Sequence, residues 1–170
     1  MTSPSTIQLP PCIHCRKPSR RTNGAEIYPN RPDLAERVAY KCDPCGAYVG
    51  ADSEGRPVGY PANAQLRAAR KSLIAEVIEP LWKGAVEAGA YTPENDQAKT
   101  AIQMAARNRI YRFLGWIMGL TAYEAQVARF DLEDCRRAYW LLSKTTYPEI
   151  RKWAKARETK AQNEKETTHV

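Results

Sequence analysis

Two Cys-x-x-Cys pairs near the start of the chain constrain its fold more than any other feature. One pair is Cys12 and Cys15, the other is Cys42 and Cys45, and 26 residues separate the pairs. Each pair presents two thiolates from one tight turn, and two such turns supply the four sulfurs that structural zinc takes in a tetrahedron. The pattern therefore predicts a zinc ribbon, in which one ion holds both turns.

The stretch between the pairs is longer than the commonest zinc spacing. Loop-closure entropy grows slowly with length, so extending the loop from ~18 to ~26 residues costs only about 0.3 kcal/mol. Structural zinc contributes on the order of 10 kcal/mol to small domains. The alternatives are a redox dithiol and a pair of disulfides. The start of the chain, MTSPSTIQLPPC, has no basic n-region and no apolar h-region, so no signal peptide is expected and zinc is favoured over both.

The second pair lies in KCDPCGAYVG, residues 41–50, and its glycine has a predicted role. Gly46 is expected at positive φ, where the backbone curls behind Cys45 and amides point at sulfur. A zinc ion with four thiolates carries a charge of −2, which neighbouring cations are expected to offset. Those cations are Arg16, Lys17 and Lys41.

Two further residues are candidates for thiol or imidazole chemistry. His14 lies inside the first pair and could replace a cysteine as ligand, but with four cysteines placed it is expected to face solvent. Cys135 lies in register with Leu132, Tyr139 and Leu142 on a predicted helix. That position favours a buried, inert thiol.

The remaining pattern predicts an α+β protein, with a small four-cysteine zinc ribbon packed on an all-helical C-terminal part. Short β-like runs occupy 25–28, 37–42 and 47–50, with a proline-rich loop at 29–33. From about residue 62, alanine content and helical periodicity rise. The predicted domains are the ribbon module at 12–60, a helical domain at 62–145, and a basic helix with a flexible tail at 146–170.

Capping signals divide the helical part into five predicted helices. The first spans 62–78, after which Pro80 kinks the chain or starts a new turn that ends at Gly89. Thr92 is the predicted N-cap of a long helix that stops at Gly119. The remaining helices are expected to begin at 121–124, at Asp131 and at 146–149, and residues 161–170 are expected to be frayed.

The charge of the chain is compatible with an acidic partner. The net charge is +7, and the excess is spread as +2 in residues 1–60, +3 in 61–120 and +2 in 121–170. The isoelectric point is about 9.2. A spread excess of this kind permits nucleic-acid binding without demanding it. The apolar stretches are short, so no segment is expected to span a bilayer, and a bacterial cytoplasmic location is expected.

The sequence predicts no enzymatic activity. It contains no P-loop motif, no G-x-S-x-G and no H-E-x-x-H. Four cysteine ligands would also fill the tetrahedral coordination of zinc, whereas a catalytic zinc keeps one coordination position open for water or substrate. A nuclease that uses only carboxylates stays open as an alternative, although no arrangement of Asp and Glu stands out.

Several motifs taken together resemble a known family. They are the first C-x-x-C, then YKCDPCGAYVG, LRAARK, EPLWK, RNRIYRFLGWIMGL and RFDLEDCRR, over roughly 12–138. The series is similar to zinc-finger-containing proteins of bacteriophages and prophages. The resemblance implies a phage or prophage origin and a zinc-binding N-terminal half, and it implies no particular activity.

The chain departs from the family pattern at three positions. The pattern places histidines after AYVG, after the LRxAR segment and before FD. Here those places hold Asp52 or a neighbour, Leu73, and Val127 or Ala128, while the only histidines are His14 and His169. Histidine-dependent chemistry in relatives is therefore not expected in this chain.

Basic residues on the predicted helices are candidates for partner binding. On the first helix they are Arg67, Arg70 and Lys71, and on the long helix Arg109 and Arg112. On the last helix Trp153 stands among Arg151, Lys152 and Lys155. The alternative is that these side chains cover the core edge or form a solvated face. The other tryptophans, Trp82, Trp116 and Trp140, are expected to pack in the core.

The function predicted from these features is that of a non-enzymatic, phage-type zinc protein that engages nucleic acid or a nucleoprotein complex. The alternative is a phage effector that binds and inhibits a host protein machine, such as a CRISPR-type defence complex or RNA polymerase. Nucleic-acid binding would be broad and steeply salt-dependent, whereas an effector would bind one protein with defined stoichiometry.

Overall fold

The computed structural model describes residues 9–168, with side chains described for 9–160. Within this part the chain forms two compact units. Among the described residues, the first comprises 9–70 with Ala128–Leu132, and the second comprises Lys71–Val127 with 133–168. A small sheet in the first unit and helices through the rest confirm the predicted α+β class. Among the described helices, none combines the length and the apolarity that crossing a membrane requires.

A three-stranded antiparallel sheet organises the first unit, in the order β1-β2-β3. The strands are β1 Arg20–Asn23, β2 Val38–Lys41 and β3 Tyr48–Gly50. Lys41 pairs with Arg20 on one side and with Tyr48 on the other. Tyr40 is fully buried, and its hydroxyl donates to Gly55 O at 2.6 Å. The sheet therefore has one face anchored by a satisfied aromatic side chain.

The segment after β1 differs from the prediction of a strand at 25–28. It forms the one-turn helix α1, Gly24–Ile27, because the Asn23 side chain accepts from the Glu26 N–H and caps the turn. A Cβ at Gly24 would lie 1.8 Å from Leu34 O, so only glycine fits there. The predicted loop at 29–33 leads into a short 3₁₀ turn, Pro32–Leu34.

The helical elements follow the predicted order with changed boundaries. They are α2 Ala64–Ser72, a π-helical segment Leu73–Ile78, α3 Glu79–Lys83, α4 Ala85–Ala88, α5 Asp96–Met118, α6 Leu132–Leu142 and α7 Tyr147–Thr168. The π segment ends where Pro80 enters the helical run, and the Glu79 N–H donates to Ile74 O, five residues back. The wider turn accommodates a proline that lacks an N–H donor.

The start of α5 corrects the predicted N-cap. Asn95, not Thr92, has the extended backbone of a cap, and its side chain accepts from the Ala98 N–H at 2.8 Å. Asparagine outranks threonine at this position, and the earlier Thr-Pro signal lies in a loop. The predicted end is confirmed, because Gly119 takes φ 69° and terminates the helix.

Two predicted helix boundaries near the C-terminal side also change. At 121–124 the predicted capping box forms, with Glu124 accepting from Thr121. The helix predicted to follow it does not form, because the chain makes turns and then the 3₁₀ segment Val127–Arg129. The last helix begins as predicted after Thr146, whose hydroxyl and N–H donate to Glu149. Its backbone stays helical to Thr168, beyond the expected fraying at 161. His169 and most of the predicted lead-in, 1–8, lie outside the described residues.

The core of the second unit is aliphatic. Ile110 and Leu114 on α5 are fully buried, as is Ile150 on α7. The predicted burial of Cys135 is confirmed, since the residue is 3% exposed, whereas Tyr139, predicted to lie in the same stripe, is 39% exposed. The buried positions on α5 are Ala106, Ile110, Phe113, Leu114, Gly115 and Met118.

Candidate metal centre

Residues 12–17, which we call the first knuckle, form a tight turn that carries Cys12 and Cys15. The Cys12 N–H donates to Lys17 O at 2.8 Å, and the Arg16 N–H donates to Cys12 O at 2.9 Å. Pro11 and Pro18 form a β-bridge that closes the turn at its base. The first knuckle is thus a hairpin tip whose backbone is closed by its own hydrogen bonds.

Residues 42–47, the second knuckle, repeat this arrangement between β2 and β3. The Cys42 N–H donates to Ala47 O at 2.8 Å, and the Gly46 N–H donates to Cys42 O at 2.7 Å. Lys41 and Tyr48 form the β-pair at its base. Because each knuckle closes over the same spacing with the same two hydrogen bonds, the two cysteine pairs are presented by equivalent scaffolds.

The residue after the second cysteine of each knuckle has a left-handed backbone. Gly46 has φ 69°, which confirms its predicted conformation. At the equivalent place in the first knuckle, Arg16 has φ 60° although it carries a side chain. Sequence reasoning missed this position. Aligning the two Cys-x-x-Cys motifs would have revealed it.

The four sulfurs converge on one point. Cys12 Sγ lies 3.4 Å from Cys45 Sγ, and Cys15 Sγ lies 3.3 Å from Cys42 Sγ and 3.8 Å from Cys45 Sγ. All four sulfurs lie within 4.8 Å of one another. With Zn–S bonds of about 2.3 Å, a tetrahedron places its sulfurs about 3.8 Å apart. The cluster therefore fits zinc in number, chemistry and spacing.

Backbone amides tune the thiols of the cluster. The Lys17 N–H donates to Cys15 and, with the Cys42 thiol, lowers the pKa of Cys15 to about 7. Burial, followed by hydrogen bonding to Cys15, raises the pKa of Cys42 to about 12. The Cys15 thiol thus ionises near neutral pH, whereas a bound cation would be needed to hold Cys42 as a thiolate.

Burial differs across the cluster. Cys12 and Cys42 are fully buried beside Ala47, whereas Cys15 is half-buried and Cys45 is exposed. The first cysteine of each pair thus lies in a small buried cluster, and an ion bound by the four sulfurs would lie next to that cluster. This placement is typical of a structural metal, since the ion would lie beneath the surface and tie together two hairpin tips.

The cations around the cluster divide into two kinds. Arg16 and Lys17 are exposed and contact no carboxylate within residues 9–160, so both remain available to offset the charge of four thiolates. Lys41, predicted for the same role, instead donates to Glu26 at 2.7 Å.

An ion network ties the second knuckle to the sheet. Arg20 bridges Glu26 at 2.6 Å and Asp43 at 2.7 Å, and Thr22 also donates to Glu26. Hydrogen bonds from Arg20, Lys41 and Thr22 hold the pKa of Glu26 far below its usual range. Asp43 lies inside the second knuckle, so the network fixes the knuckle relative to β1 and α1.

His14 is exposed, as predicted, but it is not free of contacts. Its Nε2 accepts from the Asn63 N–H at 3.1 Å, so the ring is held outside the sulfur cluster. The Asn63 side chain in turn accepts from the Leu66 N–H at 2.9 Å and caps α2. His14 therefore links the first knuckle to the start of α2.

The predicted binding residues of α2 have different environments. Arg70 is 8% exposed, and its guanidinium donates to Phe130 O at 2.7 and 3.0 Å and to Tyr60 O at 3.1 Å. Arg67 lies 4.1 Å from the centroid of the Tyr48 ring and donates to the backbone. Lys71 is exposed. Arg70 thus joins two loops of the first unit.

The predicted arginines of the second unit are held by contacts within it. Arg109 donates to the Tyr147 hydroxyl at 3.1 Å, and Arg112 lies 3.8 Å from Glu158. Arg151 donates to Gly89 O at 2.8 Å while its guanidinium covers Tyr91. The positions of these three arginine side chains are therefore explained by contacts within the second unit, without a binding partner.

The last helix presents its cations and its tryptophan differently. Lys152 and Lys155 are exposed and contact no carboxylate among the side chains that the structure describes. Trp153 is half-buried against Phe113 and Trp116. The expectation for the other tryptophans is wrong at two positions, because Trp116 is 52% and Trp140 59% exposed. Helical periodicity alone could not show which of these tryptophans another helix covers.

Comparison with known proteins connects the metal centre to a family. The model of a family described as a zinc-finger-containing domain matches residues 8–145, which include both knuckles and α2 to α6. No curated protein and no solved structure matches the chain.

Proposed function

Because the chain belongs to the family of zinc-finger-containing domains, we propose that its cysteine cluster binds one structural zinc ion. The ligands are Cys12, Cys15, Cys42 and Cys45. The observation that carries the proposal is the convergence of four sulfurs within 4.8 Å at the tips of two equivalent knuckles. Zinc would join two hairpin tips that no other covalent or coordinate bond connects through these four sulfurs.

We further propose that the protein has no catalytic activity and acts as a binding protein of phage type in the bacterial cytoplasm. Four thiolates complete the tetrahedral shell of zinc and leave no position for a water or a substrate. A metal-supplemented nuclease assay checks this. Activity that co-purifies with the protein and disappears on substitution of one Asp or Glu would contradict it.

The partner that we propose is nucleic acid or a nucleoprotein complex. Exposed cations that contact no carboxylate among the described side chains support this, namely Arg16 and Lys17 on the first knuckle and Lys152 and Lys155 on α7. The net charge of +7 adds a general attraction for polyanions. Each phosphate contact contributes about −0.9 to the slope of log K against log salt on duplex DNA.

The test is a salt titration of the wild type and the Lys152→Ala, Lys155→Ala double variant. The double variant should weaken binding to all sequences and flatten the salt slope by up to about two units. Lys144→Ala is the matched control, because Lys144 lies 3.7 Å from the Trp140 ring centroid and is already engaged. No measurable binding by the wild type at low salt would refute a nucleic-acid function.

A second candidate function is a phage effector that binds a host protein machine. Two exposed tryptophans, Trp116 and Trp140, favour it, because aromatic anchors that become buried on binding dominate protein interfaces. A pull-down from host lysate with and without nuclease separates the two functions. One protein retained at defined stoichiometry after nuclease treatment would favour the effector.

A further inference from the structure

The second unit carries an aromatic cluster that the zinc site does not use. It consists of Phe113 and Trp116 on α5 with Trp153 and Arg157 on α7, and we call it the aromatic–arginine cluster. The ring centroids of Phe113 and Trp153 are 5.3 Å apart, and those of Trp116 and Trp153 are 5.5 Å apart. Two helices therefore hold these side chains in fixed positions relative to one another.

Exposure differs sharply among the aromatic rings. Phe113 is 8% exposed and Trp153 is half-buried, so both form the floor of the cluster. Trp116 is 52% exposed and rests on that floor, at 5.7 Å from the Phe113 centroid. A tryptophan supported from below but open to solvent offers apolar area to a flat partner at little entropic cost.

Arg157 supplies a positioned cation in the same cluster. Its guanidinium carbon lies 5.5 Å from the Trp116 centroid and 5.3 Å from the Trp153 centroid. Arg157 contacts no carboxylate within the described side chains. The neighbouring Glu158 lies 3.8 Å from Arg112. A guanidinium held by ring contacts keeps its N–H groups available for an oxyanion, and its planar fork matches phosphate.

The charge of the surrounding helix fits an anionic occupant. Residues 147–160 of α7 contain five cations and two glutamates, a net charge of +3. Aromatic rings within a positive surface are the combination with which proteins bind unpaired nucleic acid, because every base has a stacking face and every nucleotide carries a phosphate.

We propose that the aromatic–arginine cluster binds single-stranded nucleic acid, with one unpaired base stacked on Trp116 and an adjacent phosphate bound by Arg157. This inference rests on the nucleic-acid function proposed above, and it locates the binding surface on α5 and α7 of the second unit. Bases within a duplex are stacked on their neighbours and cannot reach a side-chain ring. Single strands should therefore bind more tightly than duplexes of equal length.

The test measures affinity by fluorescence anisotropy for labelled oligo(dT), oligo(U) and a mixed-sequence duplex, each of about 20 nucleotides. Tighter binding of either single strand than of the duplex supports the inference. Trp116→Ala should weaken single-strand binding roughly 5- to 150-fold, the range expected for loss of one base–aromatic stack. Arg157→Lys retains the charge but loses the fork and should weaken it several-fold. Trp140→Ala is the matched control, since Trp140 is similarly exposed on another helix, and it should leave affinity unchanged.

The outcomes separate this inference from the general function. Equal affinity for single strands and duplex overturns the inference and leaves nucleic-acid binding standing. Unchanged affinity in a Trp116→Ala variant with unchanged circular dichroism and melting temperature does the same. Absence of binding to all three probes overturns both. Equal losses in Trp116→Ala and Trp140→Ala also overturn the inference, as does self-association that depends on Trp116 in sedimentation experiments.

Discussion

The two knuckles provide an internal test of how much the left-handed backbone costs this protein. Gly46 and Arg16 occupy equivalent places, with φ of 69° and 60°. A Cβ added at Gly46 would find nothing within 4 Å, so Gly46→Ala would change only the backbone energetics. A left-handed residue with a side chain costs about 1–2 kcal/mol, and the stiffer unfolded chain offsets about 0.4–1 kcal/mol of that. Gly46→Ala should therefore destabilise the zinc-bound protein by about 0.8 kcal/mol, the difference between the middles of these ranges, and by no more than about 1.6 kcal/mol.

The reverse change is expected to stabilise. Arg16→Gly relieves the same conformational cost in the first knuckle and should raise stability by a similar amount. It also removes a cation next to the sulfurs, so Arg16→Ala serves as the control that loses the charge but keeps the backbone cost. The difference between the Gly and Ala variants isolates the backbone contribution.

Two measurements check this pair of changes. Denaturant unfolding of the zinc-loaded protein gives the free energy, and competition with a chelator gives the apparent zinc affinity. A change of about 1 kcal/mol in knuckle stability corresponds to roughly a fivefold change in affinity. Equal weakening of zinc binding in Arg16→Gly and Arg16→Ala would show that the left-handed conformation does not limit the site, and would refute this reasoning.

Further changes test other parts of the structure. Metal analysis should find one zinc per chain. The zinc should be lost in Cys42→Ser and retained in Cys135→Ala, because Cys135 is buried in the second unit. A Cys42→Ser protein that keeps zinc and folds normally would contradict the proposed metal site. Arg70→Met should cost about 3 kcal/mol in denaturant unfolding, because it leaves two loop carbonyls without their donors, whereas Arg67→Met, a half-buried control, should cost about 1 kcal/mol. Asn95→Ala should lower stability by about 1 kcal/mol through loss of the α5 cap, and Thr92→Ala should not; equal effects would disprove the cap assignment.

Local chemistry made some features readable directly from the sequence. The Cys-x-x-Cys pairs predict two turns that can share a tetrahedral ion, since each turn presents two sulfur ligands and structural zinc takes four. Gly46 indicates a left-handed turn because glycine adopts that conformation at no steric cost. The stop of α5 at Gly119 follows for the same reason, and the α+β class follows from the change in periodicity near residue 62.

Other features depended on contacts that no helical or strand period reveals. Asn23 converts the predicted strand at 25–28 into a helical turn, and the close approach of Leu34 O makes glycine necessary at position 24. The environment of Arg70 depends on carbonyls at positions 60 and 130, which no local pattern relates to it. Sequence position could identify a cation but not the acceptors that surround it.

The tryptophans show the same division most clearly. The sequence alone determines that Trp116 and Trp153 lie on helices with a partly apolar stripe, because the helical period is a local property. Only the tertiary structure decides that Trp153 is the packed residue and Trp116 the exposed one. Exposure depends on which face a neighbouring helix covers, and that follows from the packing of elements distant in the chain. The zinc ligands could be predicted because they need only their own two turns, whereas the surface that receives a partner is defined by what the rest of the fold leaves open.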